Sequence, residues 1–509
     1  MRTKTLVWFN VCFICALFLR LFLFDLKPLH SDEGVHAWNL VTLYRTGVYL
    51  YDPTMHHGPF LSYLGLVPFY LLGINTFSLR FFPALCNSGL LLLLIPLRRR
   101  IGEAGVVAAG IVLALSPINV YYSREIIHES YFIFFTLTAI VFASRYLENR
   151  KLWLVIGFGA SLAFLWTIKE TLIITLAAWT AALTGTVIIG IFSVDGGMRK
   201  ARLRETLASI WAEARGLRSV LIFCFFLILA IGVLLYSSFF TNWHGVDGFF
   251  SGVRIWASQG IAGQGHQKPF FYYLELMIRF ELPVLLFGLV GMYYSFRRST
   301  RFSIFISLWA LFIFGAYSII PYKTPWLLMN IVLPFALSAG YAANEILNSL
   351  VRRRGLLIFA VDIAIIMTCF LGYHSIRVSF FDYDNDTHPL TYVQTKRDIK
   401  KLVSRIEQVS GALPEGTGVE IKVLSPDYWP LPWYLRDYSS VGYFSRIIDD
   451  ADAPVIIGSP AQQKDLESML EEKYHIENYE LRQGVRLDLY IRNDAWEKCC
   501  AFPDRGNDP

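Results

Sequence analysis

The most regular feature of the chain is a succession of apolar runs of roughly twenty residues, the length that spans a bilayer as an α-helix. Short polar segments separate them. The eleven runs lie near residues 5–24, 82–97, 104–120, 130–147, 152–168, 171–192, 219–240, 276–296, 302–320, 326–347 and 355–373. This pattern predicts an α-helical polytopic membrane protein with about eleven transmembrane helices.

The segments between the runs alternate in charge, and this alternation predicts the topology. Arginine and lysine concentrate at 98–100, 145–151, 199–218, 297–301 and 352–354. Positively charged loops stay in the cytoplasm, and Arg2 and Lys4 place the N-terminus there too. With an odd number of spans, the C-terminal domain is then extracytoplasmic. We therefore expect a multi-pass protein of the cytoplasmic (cell) membrane.

The pattern changes after the last run, which predicts a two-part organisation. Residues 1–374 form a transmembrane domain with a large first outer loop at 25–81, and residues 375–509 form an extracytoplasmic α/β domain. In this tail, Ile399, Leu402, Val403, Ile406 and Val409 recur at helical spacing within 392–409. Strand-like runs follow at 419–424, 454–457 and 487–491.

Composition supports this division. The 509 residues are 55% hydrophobic and 17% charged, against roughly 25% charged in soluble proteins. The tail carries 16 basic and 23 acidic residues, whereas the rest of the chain has a net charge of +13. These values exclude a cytosolic enzyme, a nucleic-acid-binding protein and a disordered chain. The seven cysteines form no metal or disulfide framework, and the vicinal pair Cys499 and Cys500 is not expected to bond.

Asp32 and Glu33 directly follow the first span and form the most informative polar pair. At a membrane surface both carboxylates lose hydration, which raises their pKa values toward the range of a catalytic base. The structural alternative is that Asp32 or Ser31 caps an interfacial helix beginning near Gly34, with Glu33 near its positive end. The residues alone leave both interpretations open.

Further along the same loop, Asp52 lies near the adjacent histidines His56 and His57. Such residues can bind a divalent cation or position an acceptor. Because two adjacent histidines do not face one another on a regular element, the pattern is weak for a metal. A divalent cation stays an alternative, and no metal site is assigned.

Basic residues also fall on the outer side, against the charge bias of the loops, among them Arg80, Arg124, Lys169 and Lys323. Ionisable groups near a bilayer usually mark a functional site or a partner. The alternative is local ion pairing, in which Arg124 pairs with Glu125 or Glu129 and Lys169 pairs with Glu170. Arginine and lysine are also the side chains that hold phosphate oxygens, which predicts binding of a lipid-linked phosphate.

The tail contains a stretch rich in proline and tryptophan, Pro426-Asp427-Tyr428-Trp429-Pro430-Leu431-Pro432-Trp433-Tyr434. It has two interpretations. Its aromatic rings can pack as a structural cap, or they can present a platform for a saccharide.

Several segments resemble those of a known superfamily. The carboxylate pair after the first span, the long first outer loop and the number of spans resemble the C-type membrane glycosyltransferases, particularly protein O-mannosyltransferases and the aminoarabinose transferase of lipid A. More narrowly, some segments are similar to archaeal and bacterial flippase-activity-associated proteins of N-glycosylation. They are Ser31-Asp32-Glu33-Gly34-Val35-His36-Ala37-Trp38, Tyr49-Leu50-Tyr51-Asp52-Pro53, His57-Gly58-Pro59-Phe60, Ser78-Leu79-Arg80-Phe81-Phe82-Pro83 and Tyr322-Lys323-Thr324-Pro325-Trp326, together with Trp429-Pro430-Leu431-Pro432-Trp433-Tyr434 of the tail.

The resemblance implies a sugar donor linked to polyprenyl or dolichyl phosphate, and a glycan, lipid or protein acceptor outside the cytoplasm. It implies that Asp32 is the base or a group that orients the acceptor, and that outer arginine and lysine residues hold the donor phosphate. The predicted catalytic pair is Asp32 and Glu33, and the predicted donor-phosphate residues are Arg80, Arg124, Lys169 and Lys323. The predicted acceptor and sugar residues are His36, Asp52, His56, His57, Glu125, Glu129 and Tyr322. A flippase or flippase-associated protein for lipid-linked sugars, and a non-catalytic sugar-binding protein, are the alternative functions.

Overall fold

The computed structural model describes residues 3–52, 54, 57–262, 266–298, 300–471 and 473–500. The chain divides into two compact units. One contains Met1–Phe24 and Asn39–Phe381, and the other contains Asp25–Trp38 and Asp382–Pro509. Only the beginning of the first outer loop, Asp25–Trp38, thus groups with the tail in the second unit. We describe each unit in turn.

The first unit is helical. Its helices, including α2, whose first turns belong to the second unit, are α1 (Thr3–Leu21), α2 (Ser31–Thr46), α3 (Phe60–Leu72), α4 (Thr76–Leu94), α5 (Arg98–Ile101), α6 (Glu103–Leu115), α7 (Pro117–Tyr122), α8 (His128–Asn149), α9 (Leu152–Ile168), α10 (Leu172–Phe192), α11 (Arg199–Gly216), α12 (Arg218–Tyr236), α13 (His244–Ala262), α14 (Tyr272–Phe280), α15 (Leu282–Arg298), α16 (Arg301–Ile319), α17 (Leu328–Leu350) and α18 (Arg354–Ile376).

The predicted polytopic architecture is confirmed in the described part of the chain. Seven helices are long and apolar enough to cross a membrane, and the pair α14 and α15, bent by 106°, makes an eighth if it counts as one span. Shorter apolar helices lie at Thr5–Leu21, Phe60–Leu72, Glu103–Leu115 and Leu152–Ile168. Three of these coincide with predicted runs. Phe60–Leu72 was not predicted as a span, because Pro68 and the neighbouring turn residues interrupt its sequence.

Burial separates central from peripheral helices. In the segment Pro325–Leu350, the most apolar 18-residue stretch is 89% buried. The corresponding stretch of Arg354–Phe381 is more hydrophobic, yet only 6% of it is buried. Of the seven helices long and apolar enough to cross a membrane, α12 has the highest mean hydropathy and is likewise mostly uncovered, at 22% buried. An uncovered apolar helix of this length is compatible only with an apolar solvent such as lipid. The structure therefore has a central helix, α17, within a lipid-facing periphery.

Small residues allow helices to approach closely at the centre. A Cβ atom added to Gly105 of α6 would lie 2.7 Å from the carbonyl oxygen of Gly340 in α17. The reverse substitution, at Gly340, would place a Cβ 2.5 Å from the carbonyl oxygen of Gly105. Close backbone contact at small residues is a common way to pack helices in lipid, where no hydrophobic effect drives helix association.

The second unit contains a five-stranded sheet of mixed direction, in the order β2-β1-β3-β5-β4. β1 pairs in parallel with β2 and β3, and β5 pairs antiparallel with β3 and β4. The elements are α19 (Asp398–Ala412), β1 (Ile421–Val423), α20 (Leu431–Tyr434), β2 (Val441–Tyr443), β3 (Val455–Gly458), α21 (Gln463–Met469), β4 (Tyr474–Arg482), β5 (Val485–Arg492) and α22 (Asn493–Cys499).

The predicted α/β character of this unit is confirmed. The five apolar positions used to predict its first helix are all buried on α19 and pack in one cluster with the sheet. The helix begins six residues later than predicted, at Asp398. The sequence did not predict β2 or β4. β2 has only three residues, which is too short for a recognisable pattern. In β4 the side chains on both faces are mostly half-buried, so its hydrophobic alternation is weak.

The expectation for the vicinal cysteines was wrong. Cys499 and Cys500 form a disulfide. The other five cysteines, within the described residues, are free thiols.

Candidate functional site

The two carboxylates of the first outer loop have different surroundings. The chain enters α2 at Ser31, and the buried side chain of Glu33 accepts a hydrogen bond at Oε2 from the backbone N–H of His30, at 3.0 Å. The backbone N–H of Gly34 donates to the carbonyl oxygen of His30 at 2.9 Å. Glu33 thus satisfies a backbone donor that α2 leaves open at its N-terminus, as a capping-box glutamate does.

The neighbouring Asp32 has a different environment. Its side chain is 54% exposed, and Oδ2 lies 3.9 Å from Nδ1 of His30. The same Nδ1 accepts a hydrogen bond from the backbone N–H of Asp32 at 3.1 Å. Because Nδ1 accepts, the neutral ring of His30 carries its proton on Nε2, which donates to the carbonyl oxygen of Tyr392 at 3.2 Å. The turn is fixed while the carboxylate of Asp32 stays accessible.

Residues of the tail hold the segment before α2. The hydroxyl of Tyr434 accepts from the backbone N–H of Leu29 at 3.0 Å, and Nε2 of Gln394 donates to the carbonyl oxygen of Pro28 at 3.0 Å. Burial, together with the charge of Asp32, raises the pKa of Tyr392. The tail and the Asp32 turn therefore form one folded unit.

Gly34 is required by this packing. A Cβ atom at Gly34 would lie 2.5 Å from Cβ of Pro430 and 3.2 Å from Cε3 of Trp429. In the same stretch of the tail, Leu431, Pro432 and Trp433 are buried. Of the two interpretations of this stretch, packing accounts for these buried residues, and the half-buried Trp429 lies against the first turn of α2.

A second polar group belongs to the first unit and lies in the first turn of α8 and at the turn from α9 to α10. Nζ of Lys169 donates to Oε1 of Glu129, and both side chains are buried, at 6% and 3% exposed. The structure thus pairs Lys169 with a residue 40 positions away, whereas the local alternative was Glu170. A buried ion pair of this kind is costly to break on one side only.

His128 and Glu170 are the sequence neighbours of that ion pair, and His57 lies next to both of them in the structure. Nδ1 of His57 and Oε2 of Glu170 are 3.1 Å apart, and the rings of His57 and His128 have centroids 4.6 Å apart. At Gly58 this loop packs closely against the end of α9. The N–H of Gly58 donates to the carbonyl oxygen of Ile168 at 3.0 Å. A Cβ atom at Gly58 would overlap the backbone of Thr167. Imidazole and carboxylate pairs of this kind can exchange protons near neutral pH.

Arg80 and Arg124 are buried and hold the end of α1. Nη1 of Arg80 donates to the carbonyl oxygen of Phe24 at 2.7 Å. Arg124 donates to the carbonyl oxygens of Phe22 and Leu23 at 2.6 and 2.7 Å. Cations at a helix C-terminus satisfy its open carbonyls and its dipole. Both arginines therefore have a structural role here, whatever else they bind.

Lys323 is also buried, at 1% exposed. Its Nζ donates to the carbonyl oxygens of Ile320 and Lys268, at 2.5 and 3.3 Å. Burial lowers the pKa of Lys323. Among the residues that the structure describes, no carboxylate forms an ion pair with Lys323, so this cation lacks a balancing anion.

The remaining predicted residues have different surroundings. His36 and Glu125 are buried, and the ring of the half-buried Tyr322 lies 4.9 Å from that of His266. Asp52 is exposed and accepts from the backbone and hydroxyl of Thr54 at 2.8 and 2.7 Å. His56 lies outside the described residues. Over 3–52, 57–262 and the other described ranges, no three histidine, cysteine or acidic residues are placed to hold a metal ion.

One buried polar network was not predicted from the sequence. Nε and Nη2 of Arg20 donate to Oδ1 of Asn87 at 3.0 and 2.8 Å, and Asn87 donates to Asn119 at 3.4 Å. Asn119 in turn donates to the hydroxyl of Ser116, which donates to Oε1 of Glu281 at 2.6 Å. Arg20 and Glu281 are charged residues within apolar runs, and this feature of the sequence could have predicted a buried polar network.

Comparisons with known proteins agree with this architecture. Residues 56–190 match the family model described as dolichyl-phosphate-mannose-protein mannosyltransferase. The structure is similar to that of ArnT from Cupriavidus metallidurans bound to undecaprenyl phosphate, with a TM-score of 0.60, 14% identity and coverage of 96% of this chain and 98% of ArnT. The apo form of ArnT also has a TM-score of 0.60, with 16% identity and coverage of 97% and 99%.

The chain is also similar to the archaeal oligosaccharyltransferase AglB from Archaeoglobus fulgidus, in complex with an inhibitory peptide and a dolichol-phosphate. Here the TM-score is 0.55 and the identity 13%, and the match covers 91% of this chain and 70% of AglB. The chain has the C-type membrane glycosyltransferase fold. No curated protein matches the chain. The C-type fold agrees with the resemblance of the first outer loop and the spans noted in the sequence.

Proposed function

We propose that the protein is an inverting glycosyltransferase of the hexosyltransferase type. It transfers a sugar from a polyprenyl- or dolichyl-phosphate donor to an extracytoplasmic glycan, lipid or protein acceptor. The observation that carries the proposal is the contrast in the first turn of α2, where Glu33 is used as a cap and Asp32 is left accessible. The C-type glycosyltransferase fold, and the lipid phosphates bound by ArnT and AglB, support the choice of donor.

Asp32 is the base in this reaction. Its carboxylate takes the proton of the acceptor hydroxyl while that oxygen forms a bond to the anomeric carbon of the donor sugar. The bond from the anomeric carbon to the phosphate oxygen breaks, and the lipid phosphate leaves with the electron pair. Attack opposite the leaving group inverts the anomeric configuration. Glu33 supports the turn that holds Asp32.

Lysines of the first unit bind the donor phosphate. Lys323 is buried and has only carbonyl oxygens as partners in the described structure, so a phosphate would supply the charge that it lacks. Lys169 contributes from its ion pair with Glu129. The two buried arginines, Arg80 and Arg124, contribute positive potential while they hold the end of α1.

Acceptor binding is assigned to the polar side chains of the outer loops. His57, with Glu170 beside it, can bind or relay a proton from a hydroxyl-bearing acceptor. His36, Asp52, His56, Glu125, Glu129 and Tyr322 complete the proposed acceptor set. The orientation that we propose puts the N-terminus in the cytoplasm and the tail outside, because the arginine-rich loops favour the cytoplasm.

The decisive experiment is sugar transfer from a lipid-phosphate donor in proteoliposomes. We expect transfer with the wild-type protein and its loss in Asp32→Asn at equal expression and insertion. The narrower resemblance to flippase-associated proteins gives the competing function. That function is supported if no donor is used and lipid-linked sugar crosses the bilayer equally well in wild type and Asp32→Asn.

A further inference from the structure

The helix α11 carries an apolar stripe that the protein does not cover. Leu203, Leu207, Ile210 and Trp211 are 42%, 56%, 53% and 61% exposed. Their spacing of four, three and one residues places them on one side of an α-helix. No side chain of α11 is buried. An exposed patch of this kind usually marks a surface that meets a membrane or a partner.

A different side of α11 attaches it to the protein. Arg202, Thr206 and Glu213 are less exposed than their neighbours and recur at helical spacing. Oε1 of Glu213 accepts a hydrogen bond from Arg150, at 2.5 Å, and another from the hydroxyl of Tyr146. These bonds join α11 to the last turn of α8 and to the residue that follows it, and they leave the apolar stripe uncovered.

Basic side chains border the stripe. The helix contains five basic and two acidic residues, so its surface is positively charged. The guanidinium of Arg215 lies over the ring of Trp211, 4.9 Å from its centroid, and Arg204 follows Leu203 on the exposed side. Long basic side chains beside exposed aromatic and aliphatic groups suit an interface between hydrocarbon and charged headgroups.

We propose that α11 lies in the bilayer interface and binds anionic phospholipid headgroups. The apolar stripe enters the acyl boundary, and Arg199, Lys200, Arg204 and Arg215 contact headgroup phosphates. Charge complementarity favours a lipid leaflet as the partner of this surface, because a basic surface beside an exposed apolar stripe matches a negatively charged leaflet. This site is separate from the proposed reaction, since none of its residues belongs to the residues assigned above.

The depth of the stripe can be measured with a fluorescent label. Full-length protein would carry Leu207→Cys, or the matched control Ser209→Cys on the opposite side of α11, each labelled with an environment-sensitive dye. Cys15 and Cys369 are first replaced by serine, because both are accessible thiols. In nanodiscs containing brominated lipid, we expect at least severalfold stronger quenching at 207 than at 209. Equal quenching at both positions would overturn the proposal.

The headgroup preference needs a second comparison. Nanodiscs of phosphatidylcholine, with or without phosphatidylglycerol, would be compared for the blue shift of the label at 207. The triple variant Arg199→Gln, Arg204→Gln and Arg215→Gln should lose the effect of phosphatidylglycerol, with headgroup affinity about fivefold weaker per removed cation. The control Arg352→Gln, Arg353→Gln and Arg354→Gln removes the same charge elsewhere and should keep the effect.

Two results would contradict the proposal. A blue shift that depends on protein concentration and not on lipid charge would show that a second copy covers the stripe. An unchanged response in the triple variant of α11 would show that its cations do not bind headgroups. Neither result depends on sugar transfer, so failure of this proposal is distinct from failure of the proposed function.

Discussion

The backbone N–H of His30 donates a 3.0 Å hydrogen bond to Oε2 of Glu33. Because of this bond, the adjacent carboxylates of Asp32 and Glu33 have different structural roles. Glu33 is buried and stabilises the start of α2, whereas the side chain of Asp32 is 54% exposed. Since a base must reach the proton that it removes, accessibility distinguishes Asp32 from its neighbour.

We expect Asp32→Asn to lower the rate of transfer by about 10²–10⁴-fold, the usual contribution of a general base. The amide cannot take the proton, but it is of similar size and should leave the turn folded. Thermal unfolding in detergent and transfer in proteoliposomes measure the two effects separately.

The control for this substitution is Glu33→Ala, which removes the acceptor for the His30 N–H. It should lower stability by about 1–3 kcal/mol, because a buried donor is left unsatisfied. If Asp32→Asn transfers sugar at the wild-type rate, Asp32 is not the base.

Replacing Lys323 by methionine should raise the KM for the lipid-phosphate donor and leave the KM for the acceptor unchanged. The substitution removes the buried cation but keeps a long side chain. Lys268→Met is a matched control, since it removes a cation from the adjoining loop while its backbone carbonyl stays in place. An equal rise in both KM values would contradict a role specific to the donor.

The pKa of Lys323 also predicts a pH dependence. Burial lowers this pKa, so the side chain loses its proton at a lower pH than an ordinary lysine. Donor binding should therefore weaken as pH rises through the folded-state pKa. Folding stability should change in the opposite direction, because the unfolded chain binds more protons between the two pKa values. The donor KM of wild type and Lys323→Arg, measured from neutral to alkaline pH, tests this, and arginine should abolish the alkaline rise.

A larger side chain at Gly34 should disturb the Asp32 turn. Gly34→Ala would bring a Cβ within 2.5 Å of Pro430, so α2 or the tail must shift. We expect a loss of about 1–3 kcal/mol in stability, typical of overpacking, and slower transfer. Gly355→Ala is the matched control on α18, where a Cβ meets no atom within 4 Å. Equal stability of the two variants would show that the contact with Pro430 is not tight.

Glu281 should be needed for stability because it accepts hydrogen bonds from Ser116 and from the backbone N–H of Ile118, at 2.6 and 3.0 Å. Glu281→Ala leaves both buried donors without an acceptor and should cost about 1–3 kcal/mol for each unsatisfied group. Glu281→Gln keeps a carbonyl oxygen and should cost less. Thermal unfolding of the two variants distinguishes them, and equal loss in both would show that the negative charge is required.

Much of the fold follows from the sequence because hydrophobic patterning is local. The lipid-facing helices, such as α12 and α18, are long and predominantly apolar, and this is enough to predict a span. The buried side of α19 follows from the spacing of Ile399, Leu402 and Ile406. These features depend on neighbouring residues and on the solvent that surrounds each helix.

Tertiary structure decided which polar residues have partners. Lys169 pairs with Glu129, 40 residues away, and Arg124 binds carbonyls more than 100 residues away, at Phe22 and Leu23. No periodicity encodes such pairs, because the packing of helices brings them together. The sequence determined that Asp32 and Glu33 lie together after the first span. Only the folded turn decided that Glu33 is enclosed as a cap and that Asp32 stays accessible, because capping depends on where the helix begins.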